Sequence, residues 1–287
     1  MLCNASVLVY GPSKVGKTHF MASGPKPVLI LDAEGGTRFL PFKKTVWSNP
    51  MMEPPDMTDY EVCVVYVRDF STLENVYTWL HSGKHPFRTV VVDSISEAQQ
   101  RCVDAIAGQN QMTTPNWGTL LRKIAGMVRN YRDLLIHPLN PVDCVGFTSF
   151  EKISQEGVHA PYLQGAIAGI LSYYLDMVFY YRSMPDENGK QVRKLLTKPH
   201  PQFVAGDRTN RLPTIVEDPT LEAILALACD LEQPLQDGGE FPDLAATAEP
   251  DLEVPAPPDA EVTPGGDTFA APTEEPADTI TNEETKV

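Results

Sequence analysis

The sequence contains no apolar run near the ~20 residues that a bilayer-spanning helix needs, which excludes a membrane-spanning helix. It enters a β-rich segment and a Gly-rich turn without a charged leader, so no signal peptide is expected and a cytoplasmic location is. Cysteine is scarce, five in 287 residues with no Cys-x-x-Cys pair. That scarcity excludes a disulfide scaffold and a cysteine-rich zinc site, and it suits a reducing compartment. No internal repeat is present, which excludes a solenoid. There is no basic surplus either: 23 Lys and Arg stand against 38 Asp and Glu, a net charge of −15, so overall charge draws no polyanion to this chain.

The acid is not evenly spread. Residues 232–287 carry 15 acidic side chains and one basic one, Lys286, whereas the preceding 231 residues carry 23 acidic and 22 basic. The same segment holds nine of the 26 prolines and only two aromatics, Phe241 and Phe269. Such a composition cannot bury enough apolar surface to offset the entropy of ordering it. The expected organisation is a near-neutral body over residues 1–231 and a disordered, acidic, Pro-rich tail over 232–287, with Phe241 and Leu244 as a short apolar motif among acids.

Within the body, short β-rich apolar runs alternate with longer helical patterns, which implies an α/β fold with a mostly parallel sheet flanked by helices. Strands are expected at 6–10, 27–32, 62–67, 89–93, 143–148 and 176–182. Several are apolar on both faces, as buried parallel strands are. Helices are expected at 17–22, 71–81, 95–107 and 117–135, the last with Leu120, Leu121, Ile124, Met127, Val128 and Tyr131 on one stripe. Asp186 to Lys190 is turn chemistry between 179–182 and 192–197, so a C-terminal β-hairpin closes one end of the sheet. Three stretches, 41–59, 108–116 and 154–164, lack periodicity and read as irregular loops suited to partner contacts.

Gly11-Pro12-Ser13-Lys14-Val15-Gly16-Lys17-Thr18 fits the G-x-x-x-x-G-K-[ST] pattern, follows a strand and opens a helix that continues with His19. Glycines let successive backbone N–H groups converge on phosphates, and the helix N-terminus adds a favourable potential. Lys17 supplies a charge to the phosphates, and the Thr18 hydroxyl can ligate Mg2+. Since no Asn-Lys-x-Asp motif for guanine occurs downstream, ATP is the expected nucleotide.

Arg88 to Ser94 is an apolar strand ending in a carboxylate, Asp93. Such an Asp either reaches the Mg2+ shell or caps the next helix; beside a phosphate loop, metal duty is the expectation. Glu34 lies just beyond the second strand in Asp32-Ala33-Glu34-Gly35-Gly36, where parallel-sheet proteins place ligand-facing residues. It is either a solvated loop carboxylate or the general base that activates water, and the second reading is adopted.

This trio, in this order and spacing, resembles the RecA-like ATPases, and the resemblance implies a RecA-like P-loop NTPase core over residues 1–231 with Glu34 as the catalytic carboxylate. More narrowly, Glu34-Gly35-Gly36, Asn116-Trp117-Gly118, Phe147 to Lys152, 165–181 with Asp176, and Ala205-Gly206-Asp207-Arg208 are similar to compact phage nucleotide-binding proteins of single-strand annealing and recombination. That likeness spans about residues 5–228 and implies a homo-oligomer acting on single-stranded DNA, with a single-strand-binding or other replication or recombination protein as a partner. The chain departs from the pattern twice. Phe150 stands where relatives have a His or Gln sensor of the γ-phosphate, leaving coupling to Thr148, Ser149 or Glu151. Gly206-Asp207-Arg208 replaces a more basic triplet, so Arg208 alone is the candidate finger across a subunit interface; the other reading pairs it with Asp207 on the surface.

For DNA, the local cations are Arg122, Lys123, Arg129 and Arg132 on one helix, with Lys43, Lys44, Arg193, Lys194 and Lys198 near loops; by composition the helix reads as a solvated face. Asn110, Gln111, Trp117, His159 and Tyr162 lie in or beside the loops that contact single strands in RecA-like proteins, and their aromatics can stack bases. The alternative is a nucleotide-dependent regulatory or assembly module that acts on a protein. A small-molecule kinase is a third option, weakened by the lack of an Arg-rich lid.

Overall fold

The computed structural model describes residues 4–56, 59–186 and 188–230; the expected tail lies outside these. The elements in chain order are β1 (Ala5–Tyr10), α1 (Lys17–Ala22), β2 (Val28–Asp32), β3 (Lys44–Val46), β4 (Val62–Tyr66), α2 (Phe70–His81), β5 (Thr89–Asp93), α3 (Ile95–Ala107) and α4 (Thr114–Asp133). There follow β6 (Cys144–Ser149), β7 (Glu151–Ile153), β8 (His159–Pro161), α5 (Ile167–Ile170), β9 (Met177–Pro185), β10 (Gln191–Leu196), β11 (Gly206–Asp207), β12 (Ile215–Glu217) and α6 (Leu221–Cys229).

Ten strands form one sheet in the order β12-β10-β9-β1-β6-β5-β2-β4-β3, with β11 on β9. From β9 to β3 every pairing is parallel; β10, β11 and β12 add antiparallel pairs. The fold is thus α/β with a mostly parallel sheet flanked by helices. β1, β2, β5 and β6 are buried at every position, which explains their near-continuous apolar sequences. On one face, Val7, Val9, Ile30, Val91 and Phe179 pack with Phe20 and Met21 of α1 and with Leu221, Ile224 and Leu225 of α6. α2, α3 and α4 contact one another, and α3 contacts β5 and β6.

The six expected strands and four expected helices are present, and the C-terminal hairpin is longer than expected, with β9 running on to Pro185. Three expected loops contain more order. Lys44–Val46 pairs as an edge strand with β4, too short to show a period. Part of 154–164 is β8, which folds back on β7. α4 begins at Thr114 with Pro115 in its first turn, a position that tolerates proline because its N–H has no helical partner. Cys63, Cys102 and Cys144 are free and buried, whereas Cys229 is disulfide-bonded, a covalent tie that the scattered cysteines did not announce. Among the described residues no helix is long and apolar enough to cross a membrane.

Candidate functional site

Because β1 is flanked by β9 and β6, the loop after it rises at the centre of the sheet's C-terminal edge. Gly11 is held against β9: its φ is +152°, and a Cβ there would stand 2.0 Å from the Tyr181 carbonyl oxygen, so no other residue fits. Lys14 and Gly16 also take positive φ, 65° and 101°. The result is a loop whose backbone amides from Ser13 to Thr18 donate to no other atom among the described residues. Orphaned amides at a helix start are anion donors. Lys17 Nζ donates to the Gly11 and Pro12 carbonyls, both at 2.8 Å, which folds its ammonium across the loop. Burial lowers its pKa, while Glu34, Asp93 and Glu151 oppose that shift. The loop borders a cleft of about 720 Å³ that Glu34, Gly36, Phe39, Leu40, Asp93, Phe150 and Glu151 also line, together with His19.

Two aspartates end adjacent strands in register, Asp32 on β2 and Asp93 on β5. Asp32 accepts from the amides of Glu34, Gly35, Gly36 and Thr37 at 2.6–3.2 Å, and from the Thr37 hydroxyl at 2.5 Å. It therefore anchors the turn that presents Glu34. Asp93 meets only hydroxyls: Oδ2 accepts from Thr18 at 2.7 Å and Oδ1 from Thr148. Asp93 does not cap α3, because Ser94 does so by accepting from the Glu97 amide at 3.2 Å. Burial raises the Asp93 pKa, and the Thr148 and Thr18 hydroxyls oppose the rise. Glu34 also has a raised pKa, first from surrounding protein mass and then from Asp93, against a hydrogen bond from Ser94 and the charge of Lys17.

The residues fit a magnesium nucleotide. Gly36 keeps the space beside the Thr18–Asp93 pair open, since a Cβ there would lie 3.3 Å from the Thr18 hydroxyl and 3.9 Å from Asp93 Oδ2. No group of three or more His, Cys, Asp or Glu among the described residues can hold a metal unaided. Mg2+ takes one or two protein oxygens and completes its shell with phosphates and water, and the Thr18 hydroxyl and Asp93 carboxylate are oxygens of that kind.

At the sensor place, both Phe150 and the next residue, Glu151, line the cleft. Glu151 is in turn paired with the neighbouring strand, where His159 of β8 donates from Nδ1 to its carboxylate. The His159 ring stacks on Phe203 at 4.5 Å, and its carbonyl accepts from Tyr10 at 2.9 Å. The sequence offered His159 only as a residue of a loop suited to nucleic acid, and its pairing with Glu151 follows from the β7–β8 register.

Arg208 is not brought together with these groups. It pairs with Asp176 at 2.8 Å rather than with Asp207, and Asp176 also accepts from Ser6 near the start of β1. Tyr10 lies four residue steps along the strand from Ser6, so Arg208 sits roughly 13 Å from its own phosphate loop. The Asp207 side chain is buried and instead accepts from Thr209, Arg211 and Leu212. Four of the nine local cations pair with acids: Lys123 with Glu74, Arg132 with Asp133, Lys194 with Glu217 and Lys198 with Asp207.

A strand, a loop of unpaired amides around an inward lysine, and a carboxylate at the end of a neighbouring parallel strand define a P-loop nucleotide-binding protein. A family model described as an AAA domain matches residues 3–209. The chain belongs to that family, and its core is an ATPase domain of the AAA type that binds and hydrolyses nucleotide. No curated protein matches it.

Proposed function

We propose that this protein is a Mg2+-dependent ATPase that binds single-stranded DNA and acts as a homo-oligomer in phage-type annealing or recombination, in the cytoplasm of the host cell. When bound, ATP and Mg2+ supply an electrophilic γ-phosphoryl group with its charge partly neutralised. The amides of Ser13 to Thr18 and the ammonium of Lys17 hold the phosphates. Thr18 and Asp93, now joined by a hydrogen bond, are the residues that would hold the Mg2+, which would neutralise phosphate charge there. Glu34 takes the proton of the attacking water at its carboxylate, and the burial that raises its pKa above the ordinary Glu value makes it a stronger base than a solvated Glu. Arg208, remote from its own cleft, leaves its exposed pair with Asp176 to reach a neighbour's nucleotide.

The observation that carries the DNA reading is a line of half-exposed aromatics beside the cleft. Phe150, Tyr162 and Trp117 are each 37–38% exposed. They are joined by the Tyr162 amide on the Phe150 carbonyl at 2.8 Å and by Trp117 packing over Gly165. The segment between is pinned to α3 by Ser96 and Gln99. Exposed aromatic rings in series are a platform for unstacked bases. The Glu151–His159 pair joins the cleft to the β7–β8 hairpin and takes the sensor's place in coupling the two.

A second reading, a nucleotide-dependent module acting on a protein partner, is favoured by one observation. Lys123 and Arg132 of α4 are neutralised by acids of this chain, and Arg129 packs on Tyr174. Fluorescence anisotropy with labelled single strands, with and without ATP and Mg2+, decides between them, alongside ATPase assays with and without DNA. Binding in at least one nucleotide state is expected. No binding in any state eliminates the DNA reading and leaves the protein-partner one.

A further inference from the structure

Glu34, Asp93 and Glu151, which line the cleft, converge on Lys17. His19 lines it as well, and burial and then the charges of Arg193 and Lys26 hold its imidazole below the usual range.

Arg193 reaches this place through the register of the C-terminal hairpin. Tyr10 lies level with Tyr180, and Tyr180 with Leu196. Arg193, three residues away from Leu196 on an extended strand, therefore stands roughly 10 Å past the end of β1, at the height of the phosphate loop. Alternation places it on the face of Leu195, which packs in the core with Phe20 of α1. Its guanidinium lies against the last glycine of the loop: a Cβ on Gly16 would meet Arg193 Nε at 3.2 Å, Cζ at 3.5 Å and Nη2 at 3.7 Å.

The next cation on the strand, Lys194, has Glu217 at 2.9 Å. Arg193 uses only its backbone, which exchanges hydrogen bonds with Asp218; its guanidinium has no ion pair or hydrogen bond among the described residues. The Asp218 carboxylate is taken up by the Arg193 amide rather than by its guanidinium, so a cation against the loop's last glycine is left with donors to offer an anion.

We propose that Arg193 is a nucleotide-binding residue, supplied from within the same chain, whose guanidinium contacts the α-phosphate. The proposal rests on the nucleotide reading of the cleft. The acids of the cleft, with the metal pair and Glu34, mark the γ-phosphate end; Arg193 and His19 mark the opposite one. An α-phosphate contact is common to di- and triphosphates and does not change during phosphoryl transfer. It strengthens binding of both equally and leaves turnover alone.

The test is the affinity of the full chain for fluorescent ADP and for a non-hydrolysable ATP analogue in Arg193→Gln and Arg193→Lys, with kcat and KM for ATP and a melting curve for each. For Arg193→Gln, both affinities are expected to weaken roughly 10- to 100-fold, the worth of a charge-assisted hydrogen bond. KM should rise with them, kcat should stay within about twofold of the parent, and Arg193→Lys should recover part of the loss. ADP affinity within about twofold of the parent in Arg193→Gln overturns the proposal. So does a loss confined to the triphosphate, which puts the guanidinium at the γ-phosphate. If Lys17→Ala also leaves ADP affinity unchanged, the nucleotide reading of the cleft fails; if only Arg193→Gln does, the Arg193 assignment alone fails.

Discussion

Asp32 and Asp93 end neighbouring strands, face each other in register and are both buried, yet they do different work. Asp32 spends both oxygens on four amides and a hydroxyl of one turn. Removing it unties the backbone that carries Glu34. Asp93 is held only by the hydroxyls of Thr18 and Thr148, groups that rotate at little cost and can give up their hydrogen bonds. A carboxylate saturated with amides is structural; one satisfied by hydroxyls keeps the freedom to take a metal. Strand position alone does not distinguish the two, and partner chemistry does.

The largest expected effect lies with the group that Asp32 presents. Glu34→Gln should retain nucleotide binding and lose turnover by about 10²- to 10⁴-fold, the usual worth of a general base. Because the Glu34 pKa is raised above its ordinary 4.5, activity of the parent should fall as pH drops through that raised value, earlier than for a solvated Glu. A pH–rate profile measures this limb, and normal hydrolysis by Glu34→Gln rejects the base assignment.

Asp32→Asn comes next. It turns an NH2 group toward N–H donors and should cost about 2–4 kcal/mol of stability, with turnover falling as the Glu34 turn loosens. Thermal or urea unfolding reads it, and an unchanged midpoint would remove the structural role.

Asp93→Asn should behave in the opposite sense on stability. A buried carboxylate with a raised pKa binds its proton more tightly folded than unfolded, so ionised Asp93 lowers the stability of the nucleotide-free protein above that window. The Asn variant should melt no lower than the parent, while the Mg2+ concentration for half-maximal ATPase rises roughly 10- to 100-fold. A marked drop in Tm with unaltered Mg2+ dependence would make Asp93 the structural member of the pair.

The smallest effect belongs to the far end of the sheet. Arg208→Ala removes an ion pair whose arginine side chain is 63% exposed and should cost under about 1 kcal/mol of stability. If Arg208 serves a neighbour, its ATPase defect should grow with protein concentration as chains assemble. A defect independent of concentration rejects service in trans.

The sequence made the central strands, the phosphate loop and the positions of Glu34 and Asp93 legible because each rests on a local rule: an apolar run, a fixed motif, a carboxylate at a strand end. β3 and β8 were not legible, since three residues of pairing leave no period, and their order comes from neighbours distant in the chain. α6 went unread for another reason: its apolar residues sit close to the acidic segment whose composition dominated that region. The Glu151–His159 pair and the Arg208–Asp176 pair depend on strand register and on the sheet's 170-residue closure between Ser6 and Asp176, which no window on the sequence spans. Arg193 was visible only as one more cation near a loop; the hairpin register gives it a direction.

The placement of β1 between β6 and β9 has a consequence for the order in which the protein is made. Ala5 pairs with Cys144 and Tyr10 with Tyr180, so the strand bearing the phosphate loop is synthesised early and acquires neither neighbour until well over a hundred residues later. At ~5–20 residues per second, that wait is on the order of ten seconds. Throughout it a strand apolar on both faces, followed by a glycine-rich loop, has no sheet to join. Nascent chains arrested before β9 should therefore be the ones that chaperones hold, and release should coincide with emergence of the hairpin against which Gly11 closes.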